Sequence, residues 1–198
     1  MSKLCVVIPI HQVNPTDDEI ISLLRCAVVL KDYEIFLLHP MGLDISIYTQ
    51  AFPQLKLKPV NSVWLSTIEN YNKMKRDLQF YELFEQFNYM LTYELDSYIF
   101  SDNWDSASVF EYDYIGAPWF EPSTSTIPTG VGNSGFSIRN IQKCIQILKL
   151  KNKTSRYWNV YRSLGLHRTI KLSWIMSLFN NLWNPKGKNV YFFSFFSE

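Results

Sequence analysis

Tyr89-Met90-Leu91-Thr92-Tyr93-Glu94-Leu95, followed at once by Asp96, is the stretch that decides the reading of this 198-residue chain. Up to Tyr93 it is aromatic, apolar or β-branched, as suits a buried strand, and the run stops at two carboxylates. Three strands are expected upstream of it: Leu4 to Ile10, Tyr33 to His39 and Lys56 to Val60. Between the first two, Thr16 and Glu19 make a capping box, and Ile20, Ile21, Leu23, Leu24, Ala27 and Val28 recur at helical spacing. Strand, helix and strand in this order predict a parallel sheet, so the fold class is α/β. A second capping box, Ser66 with Glu69, predicts a helix to about Arg76, and Phe80 to Phe87 continues at roughly helical spacing.

Beyond the deciding stretch, Tyr112 to Ala117 reads as another strand. Residues 121–135, rich in Ser and Thr with Pro and Gly, read as a long loop, and the chain from Ile138 onward as mostly helical. The whole is expected to be a single domain, 1–198, with 138–198 its basic helical carboxyl-terminal part. A content of 47% hydrophobic against 19% charged residues excludes a disordered chain. Cys5, Cys26 and Cys144 lack paired spacing, so neither a disulfide framework nor a zinc site is expected. The opening apolar run is too short for a signal peptide or a membrane span. A cytoplasmic location follows as an expectation, with room for contact at the inner face of the membrane.

Charge is divided along the chain. Residues 1–121 hold 8 basic and 17 acidic side chains, whereas residues 122–198 hold 11 basic and only one acidic, Glu198. Carboxylates for metal binding or base catalysis must therefore come from the first 121 residues. The basic half suits nucleic acid, anionic lipid or a diphosphate-linked acceptor. It carries no nucleic-acid motif, so no nucleic-acid partner is expected. From Leu166 to Leu182, the residues Ile170, Trp174, Ile175, Leu178 and Leu182 fall near one helical face beside Arg168 and Lys171. Such a helix either covers the sheet or lies on an anionic membrane.

Glu94 and Asp96 stand at i and i+2, which on an extended chain point to the same side. Carboxyl ends of parallel strands are where ligands sit, so the pair is a candidate holder of Mn²⁺ or Mg²⁺ beside a diphosphate. The plainer alternative is two solvated strand-end carboxylates.

TYELDSYIFSDNW (92–104), YDYIGAPW (112–119) and GVGNSGFSIRN (130–140), in this order and spacing, resemble a family of bacterial glycosyltransferases with the GT-A fold, associated with surface-polysaccharide synthesis. FYELFEQFNYML (80–91) and YNKM (71–74) fit as well, so the resemblance covers roughly residues 3–140. It implies a mixed central sheet flanked by helices, and a nucleoside-diphosphate sugar, a UDP-sugar first, as donor to a glycan or lipid-linked acceptor. On the matching positions, Glu94 and Asp96 are the expected metal site. Pro9, His11, Lys73 and Asp96 are expected at the nucleotide, and Trp119, Gly132, Asn133, Ser134 and Gly135 at the donor sugar or acceptor. Read from the residues alone, Lys73 is equally a solvated helix charge, His11 an exposed loop histidine and Trp119 a packed core side chain.

Two departures from the family pattern stand out. Ser134 replaces the usual Gly, and Lys188-Asn189 stand where the family carries acids, one of them the expected general base. Neither replacement serves as a base at neutral pH. The resemblance implies a metal-assisted glycosyltransferase, with a catalytically impaired sugar-nucleotide binder of the same fold as the alternative. A membrane-surface scaffold built on the basic half is a third class.

Overall fold

The computed structural model describes residues 4–104, 108–120, 128–131 and 133–163. A six-stranded mixed sheet flanked by helices forms its centre, in the order Lys56–Val60, Glu34–Pro40, Leu4–Pro9, Tyr89–Tyr93, Phe136–Asn140, Tyr114–Gly116. Parallel strands β1 (Leu4–Pro9), β2 (Glu34–Pro40), β3 (Lys56–Val60) and β4 (Tyr89–Tyr93) build one side. Antiparallel to β4 runs β8 (Phe136–Asn140), with the short β5 (Tyr114–Gly116) antiparallel to β8 at the edge. A separate two-stranded ribbon pairs β6 (Pro118–Phe120) with β7 (Pro128–Val131). The chain divides into two compact units between Ile145 and Gln146. Helix α5 (Ile141–Ser163) starts in the first and continues into the second.

Burial explains the central strands. Leu4 to Ile8 and Met90 to Tyr93 are all buried, the signature of strands covered on both faces. Helix α1 (Asp17–Val29) carries both halves of the predicted capping box: Glu19 N–H donates to Thr16 Oγ1 at 3.2 Å and Thr16 N–H to Glu19 Oε2 at 2.7 Å. Its first-turn acids, Asp17, Asp18 and Glu19, favour the positive end of the helix dipole. It buries Ser22, Leu23 and Cys26 against the sheet.

Three expectations need correction. The second capping box does not form: Thr67 caps α3 (Ile68–Met74) by accepting from Asn70 N–H, while Glu69 pairs with Lys73 on the surface. The 121–135 segment is not all loop, since β7 lies within it. Nor is the chain helical from Ile138, because β8 runs to Asn140 and pairs along the whole of β4. Of the expected helical stretch from Phe80 to Phe87, α4 (Leu78–Glu82) forms the start. A short helix, α2 (Ser46–Ala51), had no sequence signal. Residues 164–198, and so the Leu166 to Leu182 stripe, Lys188 and Asn189, lie outside the described residues, as does Gly132. Among the described residues no helix is long and apolar enough to cross a membrane.

Candidate functional site

Strand order sets the position of the site. The chain passes outward from β1 through β2 to β3, then returns to place β4 on the other flank of β1. At such a reversal the loops leaving the two strands diverge and open a crevice. A cleft of about 440 Å³ lies there. One wall is Pro9, Ile10, His11 and Gln12 from the end of β1, and another is Glu94, Leu95 and Asp96 from the end of β4. Tyr71 of α3, with Leu65 to Ile68 ahead of it, closes a further side. The structure thus brings Pro9, His11, Glu94 and Asp96 together, although they are distant in sequence.

Both loops are held. Glu19 Oε2 accepts from Gln12 Nε2 at 2.9 Å, and Tyr48 Oη donates to the Gln12 carbonyl at 3.0 Å. Past β4 the chain turns, with Ser97 N–H donating to the Glu94 carbonyl at 2.9 Å. Helix α1 grips this turn: Ser22 Oγ lies 2.8 Å from Tyr93 Oη and donates to the Ser97 carbonyl. Arg25 donates to the carbonyls of Ile99, at 3.0 Å, and Phe100, at 2.6 Å. The alternation argument for Glu94 and Asp96 is therefore corrected. The ladder ends at Tyr93, and Asp96 reaches the cleft through a turn, not along a strand.

A buried polar cluster backs the cleft. Tyr71 Oη donates to Glu94 Oε1 at 2.6 Å. Lys75, with a side chain only 4% exposed, places Nζ 3.7 Å from the same oxygen and 3.7 Å from the centre of the Tyr71 ring. It also donates to Ser134 Oγ. Arg139, wholly buried on β8, donates to Tyr81 Oη at 3.0 Å, Ser137 Oγ at 3.2 Å and the Ser134 carbonyl at 3.3 Å. Tyr81 Oη in turn donates to the Lys75 carbonyl at 2.9 Å.

Burial, followed by the charge of Glu94 and its hydrogen bond, pushes the Tyr71 hydroxyl well above its usual range, so it stays a donor. Burial draws the Lys75 ammonium down to about 8, against the opposing pull of Glu94. Between pH 8 and 10.5 the native chain then releases this proton before the unfolded chain does. Unfolded protein binds more protons in that window, so stability rises with pH. Relative to Lys75→Met, wild type is expected to gain on the order of 3 kcal/mol across it, read from urea unfolding at stepped pH.

The remaining expected site residues stand elsewhere. Lys73 lies about 200° round α3 from Lys75, points outward and is paired with Glu69 at 2.7 Å. Lys73→Ala is expected to leave stability within about 0.5 kcal/mol of wild type in urea unfolding, because exposed pairs contribute little. Trp119 is 54% exposed on the β6–β7 ribbon and is not on the cleft wall. Ser134 faces inward to Lys75, and Asn133 Oδ1 accepts from Gly135 N–H at 2.9 Å. Gly135 packs against Glu94: a Cβ there would stand 2.5 Å from Oε2 and 2.8 Å from Cδ. The three cysteines are buried and free, and burial raises Cys26 to about 12 and Cys144 to about 11, which removes thiolate chemistry.

Among the described residues the charged side chains of the wall are carboxylates. Glu19, Glu94 and Asp96 line the cleft, and among the described residues no Lys or Arg does. Glu19 and Glu94 are engaged by hydrogen bonds, whereas Asp96 is exposed. Among the described residues no group of three or more His, Cys, Asp or Glu side chains is gathered to hold a metal. One or two carboxylates together with substrate phosphates still suit Mg²⁺, which keeps several of its waters. Asp96, with Glu94 beside it, fits a cation of that kind.

A family profile described as a protein of unknown function, DUF5672, matches residues 54–195, more than two thirds of the chain. The chain belongs to the DUF5672 family. The DUF5672 match takes in Tyr71, Lys75, Glu94, Asp96 and Arg139, and begins after Pro9, His11 and α1. The DUF5672 segment thus supplies Glu94, Asp96 and the buried cations, and the residues before it supply Pro9 to Gln12, Glu19 and Tyr48. Comparison with curated proteins gives no match.

Proposed function

We propose that this DUF5672 protein binds a nucleoside-diphosphate sugar, a UDP-sugar first, with Mn²⁺ or Mg²⁺, and transfers the sugar to a glycan or lipid-linked acceptor. On this reading the sheet is of the GT-A type. The observation that carries the proposal is the acid-lined cleft at the reversal of strand order, without a lysine or arginine among its described wall residues. A diphosphate entering such a cleft meets like charge, and binding needs a cation between them. When bound, the cation acts as a Lewis acid that neutralises the departing diphosphate.

The residues of the chain do the positioning. Asp96 would hold the cation, and Glu94, fixed by Tyr71, sets the negative potential beside it. Gln12, tied to Glu19 and Tyr48, keeps the loop after β1 open. Titration calorimetry with UDP- and GDP-sugars, with and without Mn²⁺, tests the reading, and absence of binding to every nucleotide would sink it.

One observation favours a second reading, a sugar-nucleotide binder without turnover. Glu19 and Glu94 are both committed to hydrogen bonds, so with Asp96 on the cation no carboxylate of the described wall is free to deprotonate an acceptor. A retaining mechanism would not need that base. Measuring donor turnover with the nucleotide sugar that binds best separates the two readings.

A further inference from the structure

The cluster behind the cleft assigns unequal work to its two carboxylates. Glu94 is enclosed. Its Oε1 accepts from Tyr71 at 2.6 Å with the Lys75 ammonium 3.7 Å away, and the backbone of Gly135 lies close against Oε2. Its own N–H donates to the Gly135 carbonyl at 2.8 Å, which fixes where the side chain starts. Asp96, two residues on, is exposed, and accepts a hydrogen bond from Ser97 Oγ at 3.5 Å.

Lys75 is the centre of the enclosure. A buried ammonium is retained where partners replace its water, and three are present: the Ser134 hydroxyl, the face of Tyr71 and the Glu94 carboxylate. Ser134 is anchored in its turn, since its carbonyl accepts from Arg139 and from Ser137 Oγ, the latter at 3.1 Å. If Glu94 swung onto a cation in the cleft, it would abandon Tyr71 and leave Lys75 charged, buried and without its counterion.

We propose that Lys75 is the positioning residue of this cleft: gripped by Ser134 and lying over Tyr71, its ammonium keeps the Glu94 carboxylate on the Tyr71 hydroxyl, so that Asp96 takes the cation. The assignment rests on reading the cleft as a cation-assisted nucleotide site. It gives Ser134, the departure from the resembled family, a task on the protein side of the cleft.

Two measurements test it. In titrations of UDP with Mn²⁺, Glu94→Gln, whose amide oxygen still accepts from Tyr71 and Lys75, lowers affinity ~5-fold, and Asp96→Asn lowers it by at least ~100-fold. Lys75→Met costs ~30-fold alone, because the freed Glu94 carboxylate takes a coordination position that the phosphates would fill, but under ~3-fold in the Glu94→Gln background, a non-additivity that mere loss of packing would not produce. Equal losses for Glu94→Gln and Asp96→Asn, or additive losses in the double variant, overturn the assignment.

The second measurement needs no nucleotide. Crystal structures of wild type and Lys75→Met without ligand are expected to show Glu94 on the Tyr71 hydroxyl in the first and off it in the second. Glu94 found on Tyr71 in both overturns the proposal. Should Lys75→Met not fold, Ser134→Ala replaces it, with the Tyr71–Glu94 hydrogen bond expected to break and an unchanged geometry counting against the proposal. If wild type binds no nucleotide, the proposed function fails, and the ligand-free structures still decide the role of Lys75.

Discussion

On the proposed function, Asp96→Asn is expected to abolish Mn²⁺-dependent UDP binding and to leave the unfolding midpoint near that of wild type. This is the largest expected effect on function, at least ~100-fold in affinity, as befits loss of the charged oxygen that a hard cation requires. Asn keeps the size and the hydrogen-bonding outline of the side chain but removes its charge. Folding is spared because Asp96 is exposed in a turn whose anchors are other residues: Ser22 and Arg25 hold the carbonyls of Ser97, Ile99 and Phe100. An exposed substitution of this kind costs within about 0.5 kcal/mol. Calorimetric titration beside a urea melt checks both halves, and unchanged affinity would move the cation elsewhere.

Gly135→Ala is expected to cost both stability and binding. The requirement at Gly135 is for space, because an added methyl would fall 2.5 Å from Glu94 Oε2 and 2.8 Å from its Cδ. A carboxylate at the tip of a free side chain would step aside. Glu94 is not free, since Tyr71 and Lys75 hold Oε1 and its N–H is bonded to the Gly135 carbonyl. Either the hydrogen bond to Tyr71 breaks or β8 shifts from β4, and overpacking of this sort costs about 1–3 kcal/mol. Urea unfolding reads the first quantity and UDP titration the second. A variant with wild-type values for both would show that Glu94 is held less tightly than its contacts imply.

Elements that announce themselves by burial on both faces were legible in the sequence. LCVVIP and YMLTY are runs that water would penalise in any exposed setting, and both became central strands. The box of Thr16 and Glu19 was legible because no neighbouring residue takes the cap from Thr16, and Glu19 Oε2 accepts from Thr16 N–H even while it ties Gln12. At Ser66 the same pattern misled: Thr67, one residue on, competes for the cap, and Lys73 at i+4 takes Glu69. Strand β8 was hidden by its composition, since Arg139 in FSIRN reads as surface and Ile138 merges into the helical spacing of α5. What makes Arg139 tolerable inside, the hydroxyls of Tyr81 and Ser137 and the Ser134 carbonyl, comes from tertiary pairing that no local pattern displays.

The site divides in the same way. Glu94 and Asp96 were reachable because ligands sit at the carboxyl ends of parallel strands, and Pro9 and His11 only through the resemblance; the fold lines one crevice with all four. Lys73, expected at the nucleotide from the resemblance, points outward to Glu69, whereas Lys75, four residues from Tyr71 and on its face, borders Glu94; that difference lies in which face the helix buries.

Helix α1 reaches across to residues 97–100 with Ser22 and Arg25, and Glu19 on the same helix ties the loop after β1. The loops that leave β1 and β4 and line the cleft are therefore fastened to one rod. They cannot part as a hinge without fraying that rod, so the amides of α1 and of the turn past β4 should exchange with solvent as one cooperative unit.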